Sequence, residues 1–330
     1  MNSILKLIIK ILGAGIVAFF VLSLFSAVYY NMPIRIKSST YSTDYVWEHN
    51  ALRISCGEGF SYGVTDSNGY NNKEVPEKIN VLVMGSSQME GFNVLPDQNT
   101  TYKLNEAFDN NEMTAYNIGI SGHNLLTCIN NLENAVSEFS PKDYVIIETQ
   151  DIAFNPNDMI NVINGDYGRT TASDGKDFMY YLQKFDYFRL LYSQFKSYRN
   201  NNSKKVIQSK QNILNEIEYK KLLDVLIKKA KKDVGERKLI IFYQHALNVD
   251  SDNNIKTDDD FYYMAFEEAC KNNDVVFINM NEYFSKYYIE NHKFPHGFSN
   301  TRIGTGHLNK YGHAVIANVL YDKIMDMEEK

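Results

Sequence analysis

Cysteine is scarce in this chain: Cys56, Cys128 and Cys270 are the only three among 330 residues. An odd number at wide spacing excludes a disulfide framework, and the lack of any CxxC pair or Cys/His cluster excludes a zinc site of the usual spacing. Cys128 and Cys270 fall in apolar helical patterns, where a thiol serves as a small buried hydrophobe. A basic excess is lacking as well. The net charge of −6 offers no field for nucleic acid, and Lys204, Lys205, Lys210, Lys228, Lys229, Lys231 and Lys232 read as solvated helix faces. Asp250, Asp252, Asn254 and Asp258 imitate a calcium loop, but Ile255 and Phe261 stand where such a loop needs Gly and Glu. His123, His245, His292, His296 and His313 are scattered without ligand spacing, so neither a metal nor a cofactor is expected. Hydrophobic content of 44% with charged content of 22% excludes a disordered or fibrous chain.

Charge is absent altogether from Ile11 through Tyr30. A run of about 20 apolar residues is long enough to cross a bilayer as a helix, and Tyr29 and Tyr30 sit where interfacial aromatics belong. Lys6 and Lys10 precede the run and hold the short tail in the cytoplasm, although Arg35 and Lys37 beyond it reduce the asymmetry. A cleaved signal peptide competes with this reading. The run is longer than a usual signal core, however, and ends in no clean small-x-small pair. The expectation is a single uncleaved signal-anchor over residues 1–31, with the rest of the chain outside the cytoplasm. The absence of cysteine there excludes a lipoprotein anchor.

Beyond the anchor, residues 32–78 are polar and glycine-rich and read as a stalk with entry loops. Short apolar runs follow at Val81–Met84, Thr114–Ile118, Tyr144–Glu148, Lys238–Tyr243 and Asp274–Asn279, separated by helical patterns that include Thr101–Phe108 and Leu125–Phe139. Strands alternating with helices predict a parallel sheet covered on both faces by helices, a three-layer α/β/α sandwich over residues 79–330. Ligands bind at the carboxyl ends of such strands. Ser87, Gly122 and Gln150 therefore share one rim, Ser87 directly after the sharp turn at Gly85, and His307 lies in the loop that feeds the last helix. Between 156 and 236 the chain is longer than a crossover requires. Phe178, Tyr181, Leu182, Phe185, Phe188, Leu191, Tyr192 and Phe195 give it an apolar aromatic face, read as packing onto the domain or as a lid against sugar or membrane.

The blocks Met84-Gly85-Ser86-Ser87-Gln88-Met89-Glu90-Gly91-Phe92 and Gly306-His307-Leu308-Asn309-Lys310-Tyr311-Gly312-His313, with shorter ones between, resemble the SGNH, or GDSL, hydrolases. The resemblance covers about residues 65–319 and implies an SGNH-like, flavodoxin-like sheet. It implies Ser87 as nucleophile, His307 as its base, and the Ser87 N–H, the Gly122 N–H and the Gln150 amide as oxyanion donors. Such an arrangement is chemically sensible, because a serine hydroxyl needs a neighbouring base and a tetrahedral oxyanion needs donors already aimed at it. Three positions depart from the family pattern. Ser86 replaces an Asp beside the nucleophile, and Gln150 replaces an Asn, lengthening the arm by one methylene. Gly304 stands where the family has the acid that orients the histidine. Either a Ser87–His307 dyad suffices, or Asp151 substitutes as the acid, or the imidazole is left poorly oriented and catalysis is weak. The implied activity is a membrane-anchored esterase or O-acyltransferase acting on acyl esters of cell-envelope glycans, with a membrane acyltransferase as a further partner. The alternatives are an inactive relative that binds glycan or such a partner, and a solute-binding ectodomain in which Ser87 and His307 lie far apart.

Overall fold

The computed structural model describes residues 3–29, 31–36, 45–108, 113–167, 187–188, 191, 215–250, 255 and 260–329. Its centre is a parallel sheet of five strands, β5 (Val81–Met84), β6 (Ala115–Asn117), β7 (Tyr144–Thr149), β8 (Lys238–Tyr243) and β9 (Val276–Asn279), in the order β6-β5-β7-β8-β9. Val81 is in register with Ala115 on one side and Tyr144 on the other, and Ile240 with Val276. These strands carry unbroken apolar runs because both of their faces are covered. Leu82, Met84, Val145, Ile147, Leu239 and Ile241 face one helical layer. That layer comprises α4 (Leu125–Asn130), α5 (Leu132–Phe139), α6 (Pro156–Asn164), α7 (Glu216–Asp233) and α8 (Phe261–Asn272). The alternate residues Val81, Val83, Tyr144, Ile146, Ile240 and Phe242 face the other. There α3 (Thr100–Phe108), α9 (Met280–Asn291) and α10 (Lys310–Glu328) supply Leu104, Phe108, Phe284, Ile316, Leu320 and Ile324. The expected three-layer α/β/α sandwich is thus what the chain forms, with the flavodoxin-like strand order 2-1-3-4-5.

The chain leaves β5 for β6 on one side and returns past β5 to β7 on the other. The crevice between β5 and β7 is therefore the topological switch point, where sheets of this kind bind ligands. One short helix, α2 (Ser87–Glu90), follows β5 directly.

Two expectations need correction. The helix expected over Leu125–Phe139 is two helices, because Asn131 leaves helical geometry (φ −98°, ψ 2°). The segment expected as stalk and entry loops also packs onto the domain. It forms two antiparallel pairs, β1 (Arg35–Ile36) with β2 (Val46–Trp47) and β3 (Leu52–Ser55) with β4 (Ser61–Val64). Arg53 is wholly buried, its guanidinium donating to Ser61 Oγ (2.8 Å), the Phe92 carbonyl (3.2 Å) and Asn71 Oδ1 (3.1 Å). Burial, partly offset by the nearby Glu90, lowers the Arg53 pKa to about 10.

At the amino terminus α1 (Ser3–Tyr29) is charged only at Lys6 and Lys10, and most of its large apolar side chains are exposed in the chain. It is long and apolar enough to cross a membrane. Of the expected aromatic face, Phe178, Tyr181, Leu182, Phe185, Tyr192 and Phe195 lie outside the described residues. Phe188 stands against Phe19 of α1, with ring centroids 5.7 Å apart.

Candidate active site

Ser87 is the first residue of α2, and the sequence around it explains the sharp turn. Ser86 caps the helix, its Oγ accepting from the Gln88 N–H at 3.2 Å. Gly85 is required by space, since a Cβ there would lie 2.8 Å from both the Glu148 carboxylate and Met89 Cγ. The turn is also pinned from below. The Ser86 N–H donates to Glu148 Oε2 (2.8 Å), Gln244 Nε2 donates to Glu148 Oε1 (2.8 Å), and His296 Nε2 donates to Gln244 Oε1 (2.8 Å). Burial raises the Glu148 pKa despite the Ser86 and Gln244 donors, and burial first, then neighbouring histidines, lowers that of His296 to about 3. Held that low, the His296 ring is neutral at pH 7, with its one proton on the Nε2 that faces Gln244 Oε1.

His307 reaches Ser87 from the loop before α10. Its Nε2 lies 2.9 Å from Ser87 Oγ. Asn309 fixes that loop, capping α10 through Oδ1 and donating through Nδ2 to the carbonyls of Phe294 (2.8 Å) and Gly297 (3.0 Å). Gln88 ties the loop to α2, its Oε1 accepting from the Leu308 N–H at 2.6 Å.

The acid on His307 is Glu58, in the loop between β3 and β4. Glu58 Oε2 lies 2.6 Å from His307 Nδ1, and Oε1 accepts the His307 backbone N–H at 2.7 Å. Both oxygens therefore take donors from one residue, which sets the ring plane and places the proton on Nδ1, leaving Nε2 free to accept from Ser87. Partial burial pushes the Glu58 carboxyl up, but the His307 ring and backbone donors outweigh it and hold it below its ordinary value. Gly306 permits the approach: it has φ +84°, and a Cβ would fall 2.0 Å from Glu58 Oε1. Asp151 does not fill the position foreseen for it. It is exposed, and among the described residues its carboxylate makes no hydrogen bond to His307. Gly304, where an acid was sought, has φ +85° and lies against the Phe294 ring.

The other two rim residues are placed as follows. Gln150 is exposed beyond β7, its Nε2 donating to Ser86 Oγ (3.0 Å) and its Oε1 accepting from Gln88 Nε2 (3.2 Å), which orients the longer amide beside Ser87. Gly122 is exposed in the turn after β6, with φ +96° and open space around it. The N–H groups of Ser87 and Gly122 have no acceptor among the described residues. Glu90, which the motif reading passed over, braces that turn: its carboxylate accepts from Trp47 Nε1 (2.6 Å), the Ser121 N–H (3.1 Å) and Ser121 Oγ.

Glu58 left one trace in the sequence, an acid flanked by glycines in Cys56-Gly57-Glu58-Gly59. Glu148 left another, a charge at the end of an otherwise apolar strand.

These elements form an α/β/α sandwich with serine, histidine and a carboxylate in line at the switch point. No protein-family profile matches the chain, and no curated protein matches it. Solved structures similar to it include a two-domain esterase active on acetylated mannans, at 13% identity over 77% of this chain and 50% of that one (TM-score 0.42). The psychrotrophic esterase EstA from Pseudoalteromonas sp. matches at 13% over 76% and 100% (TM-score 0.41). The acetyl xylan esterase AlAXEase matches at 15% over 74% and 99% (TM-score 0.42). The chain thus spans half the length of the first of these.

Proposed function

We propose that the protein is a membrane-anchored serine esterase or acyl-transfer enzyme. The observation that carries this reading is the unbroken line Glu58–His307–Ser87, at 2.6 and 2.9 Å. Ser87 Oγ attacks the ester carbonyl as its proton passes to His307 Nε2, and Glu58 stabilises the imidazolium that forms. The N–H groups of Ser87 and Gly122 and the Gln150 amide receive the oxyanion. Collapse of the tetrahedral species expels the alcohol, which takes the proton from His307 and leaves an acyl-Ser87. Water, or a sugar hydroxyl, then gives its proton to His307 and its oxygen to the acyl carbon, regenerating Ser87.

The reading as an inactive binding domain drew on Gly304, and Glu58 meets the need that Gly304 leaves. An anchored enzyme outside the cytoplasm fits O-acyl esters of envelope glycans as substrate, with a membrane acyltransferase as a further partner. The test is fluorophosphonate labelling of the full chain with mass-spectrometric mapping, alongside p-nitrophenyl acetate turnover. Capture at Ser87 with turnover lost in Ser87→Ala is expected. Equal turnover in Ser87→Ala and the parent would remove the enzyme reading.

A further inference from the structure

The β3–β4 hairpin has two unlike faces. Arg53, Ser61 and Gly63 turn towards the domain, where Arg53 is buried. On the other face Leu52 pairs with Val64 and Ile54 with Tyr62, and Leu52, Tyr62 and Val64 are 51%, 56% and 51% exposed. Phe60, 62% exposed, extends this strip, its ring 6.2 Å from that of Tyr62. Phe60 also lines a groove of about 450 Å³ with Phe294, Phe298, Ile303 and Tyr311, which carries the apolar surface towards the His307 loop. A contiguous apolar strip of this kind on a charged protein marks a contact surface.

The position of α1 identifies the occupant. Its last residue, Tyr29, accepts a hydrogen bond at its carbonyl from the Cys56 thiol at the end of β3. Two residues further on, Asn31 and Ile54 exchange both backbone hydrogen bonds, at 2.9 and 2.6 Å. Two residues span at most about 7 Å. If α1 crosses a bilayer, its end is the bilayer boundary, and β3 is bonded to it at two points. No linker separates hairpin and lipid.

We propose that the apolar face of the β3–β4 hairpin rests in the headgroup region of the bilayer, so that the loop holding Glu58 is stationed at the membrane surface. This rests on the reading of α1 as a bilayer span. Leu52, Ile54, Tyr62, Val64 and Phe60 lose water to the acyl boundary, as the apolar side of an interfacial element does. The ester hydrolysed or transferred is then one presented close to the lipid surface.

The test uses the full chain in phosphatidylethanolamine/phosphatidylglycerol vesicles carrying a headgroup nitroxide, with bimane attached at Tyr62→Cys or Val64→Cys. Glu236→Cys, exposed just before β8 at the amino ends of the strands and opposite the rim that carries Ser87, is the control. Cys56, Cys128 and Cys270 are buried, and an unsubstituted sample subtracts any label they take. At least about threefold stronger quenching at 62 and 64 than at 236 is expected, unchanged from one chain per vesicle to several. Quenching equal to the control overturns the proposal, and so does quenching that appears only at high protein density, which assigns the strip to a second copy. Alkaline carbonate extraction of the unsubstituted protein separates the two failures: release into the supernatant removes the anchor reading and the docking with it, whereas retention with no quenching removes the docking alone.

Discussion

Glu58→Gln tests the site most sharply, because the amide keeps the volume of the carboxylate and changes only what its two arms can accept. Glu58 takes two donors, the His307 N–H at 2.7 Å and Nδ1 at 2.6 Å. Glutamine has one accepting oxygen. If that oxygen keeps the backbone N–H, the amide NH2 faces Nδ1, which must then accept. The ring proton moves to Nε2, where it points at Ser87 Oγ and cannot receive the serine proton. If the oxygen instead keeps Nδ1–H, the NH2 group opposes the His307 N–H, leaving a donor unsatisfied at a cost of about 1–3 kcal/mol. The wrong tautomer is thereby favoured, and either arrangement lacks the charge that stabilises imidazolium. A comparable amide swap in another triad enzyme lowers kcat about ten-thousand-fold. A loss of about a thousandfold or more, about 4 kcal/mol of transition-state stabilisation, is expected here. The assay is p-nitrophenyl acetate hydrolysis by the detergent-solubilised full chain, with kcat and KM resolved and the thermal midpoint recorded. KM should stay near the parent value, since the carboxylate acts on His307 and not on bound ester. Asp151→Asn should change kcat less than about twofold, since Asp151 is exposed and off the ring. Retention of more than about a tenth of parental kcat in Glu58→Gln, at an unchanged midpoint, would refute the assignment of the acid.

Two further outcomes follow from the same geometry. Gly306→Ala should cut kcat by about a hundredfold or more, because positive φ and a Cβ 2.0 Å from Glu58 Oε1 force the carboxylate off His307. The midpoint should fall only modestly, since Gly306 lies in an exposed loop, and equal kinetics would show that the contact is dispensable. Acid sensitivity should come in large part from the buried histidines. Burial lowers His313 and His296 to about 3, so the unfolded chain binds protons near 6.5 that the folded chain refuses. Stability then declines as pH falls below about 6.5, by about 2 kcal/mol per histidine between pH 7.5 and 5. His313 Nδ1 accepts from the Thr100 N–H at 3.2 Å, so protonation sets donor against donor. His313→Gln should narrow the gap between midpoints at pH 7.5 and 5 by about half; an unchanged gap would show that His313 is not held neutral.

The central strands were legible because double-sided burial writes itself as an uninterrupted apolar run: Val81–Met84 and Lys238–Tyr243 stand where the sequence put them. Ser87 and His307 were legible through the two blocks Met84–Phe92 and Gly306–His313, whose resemblance to the SGNH hydrolases singles them out, and the structure brings them to 2.9 Å. Glu58 lies 249 residues from its partner, in a glycine-rich stretch whose strands have two to four residues. Alternation over so few positions cannot be told from loop composition, and no local pattern encodes a carboxylate's reach across the fold. Arg53 shows the same limit, a charge that reads as solvated until its partners Ser61, Asn71 and Phe92 are seen around it. The break at Asn131 escaped because one residue leaving helical geometry does not disturb the apolar period on either side.

A protein trimmed to begin at the first central strand, as is natural when a tether is discarded, would keep serine and base and surrender the carboxylate. Its sheet would be intact and its hydroxyl idle. Because Glu58 hangs from the same ribbon that Cys56 and Ile54 fasten to Tyr29 and Asn31, the mooring of the long apolar helix and the partner of His307 belong to a single hairpin.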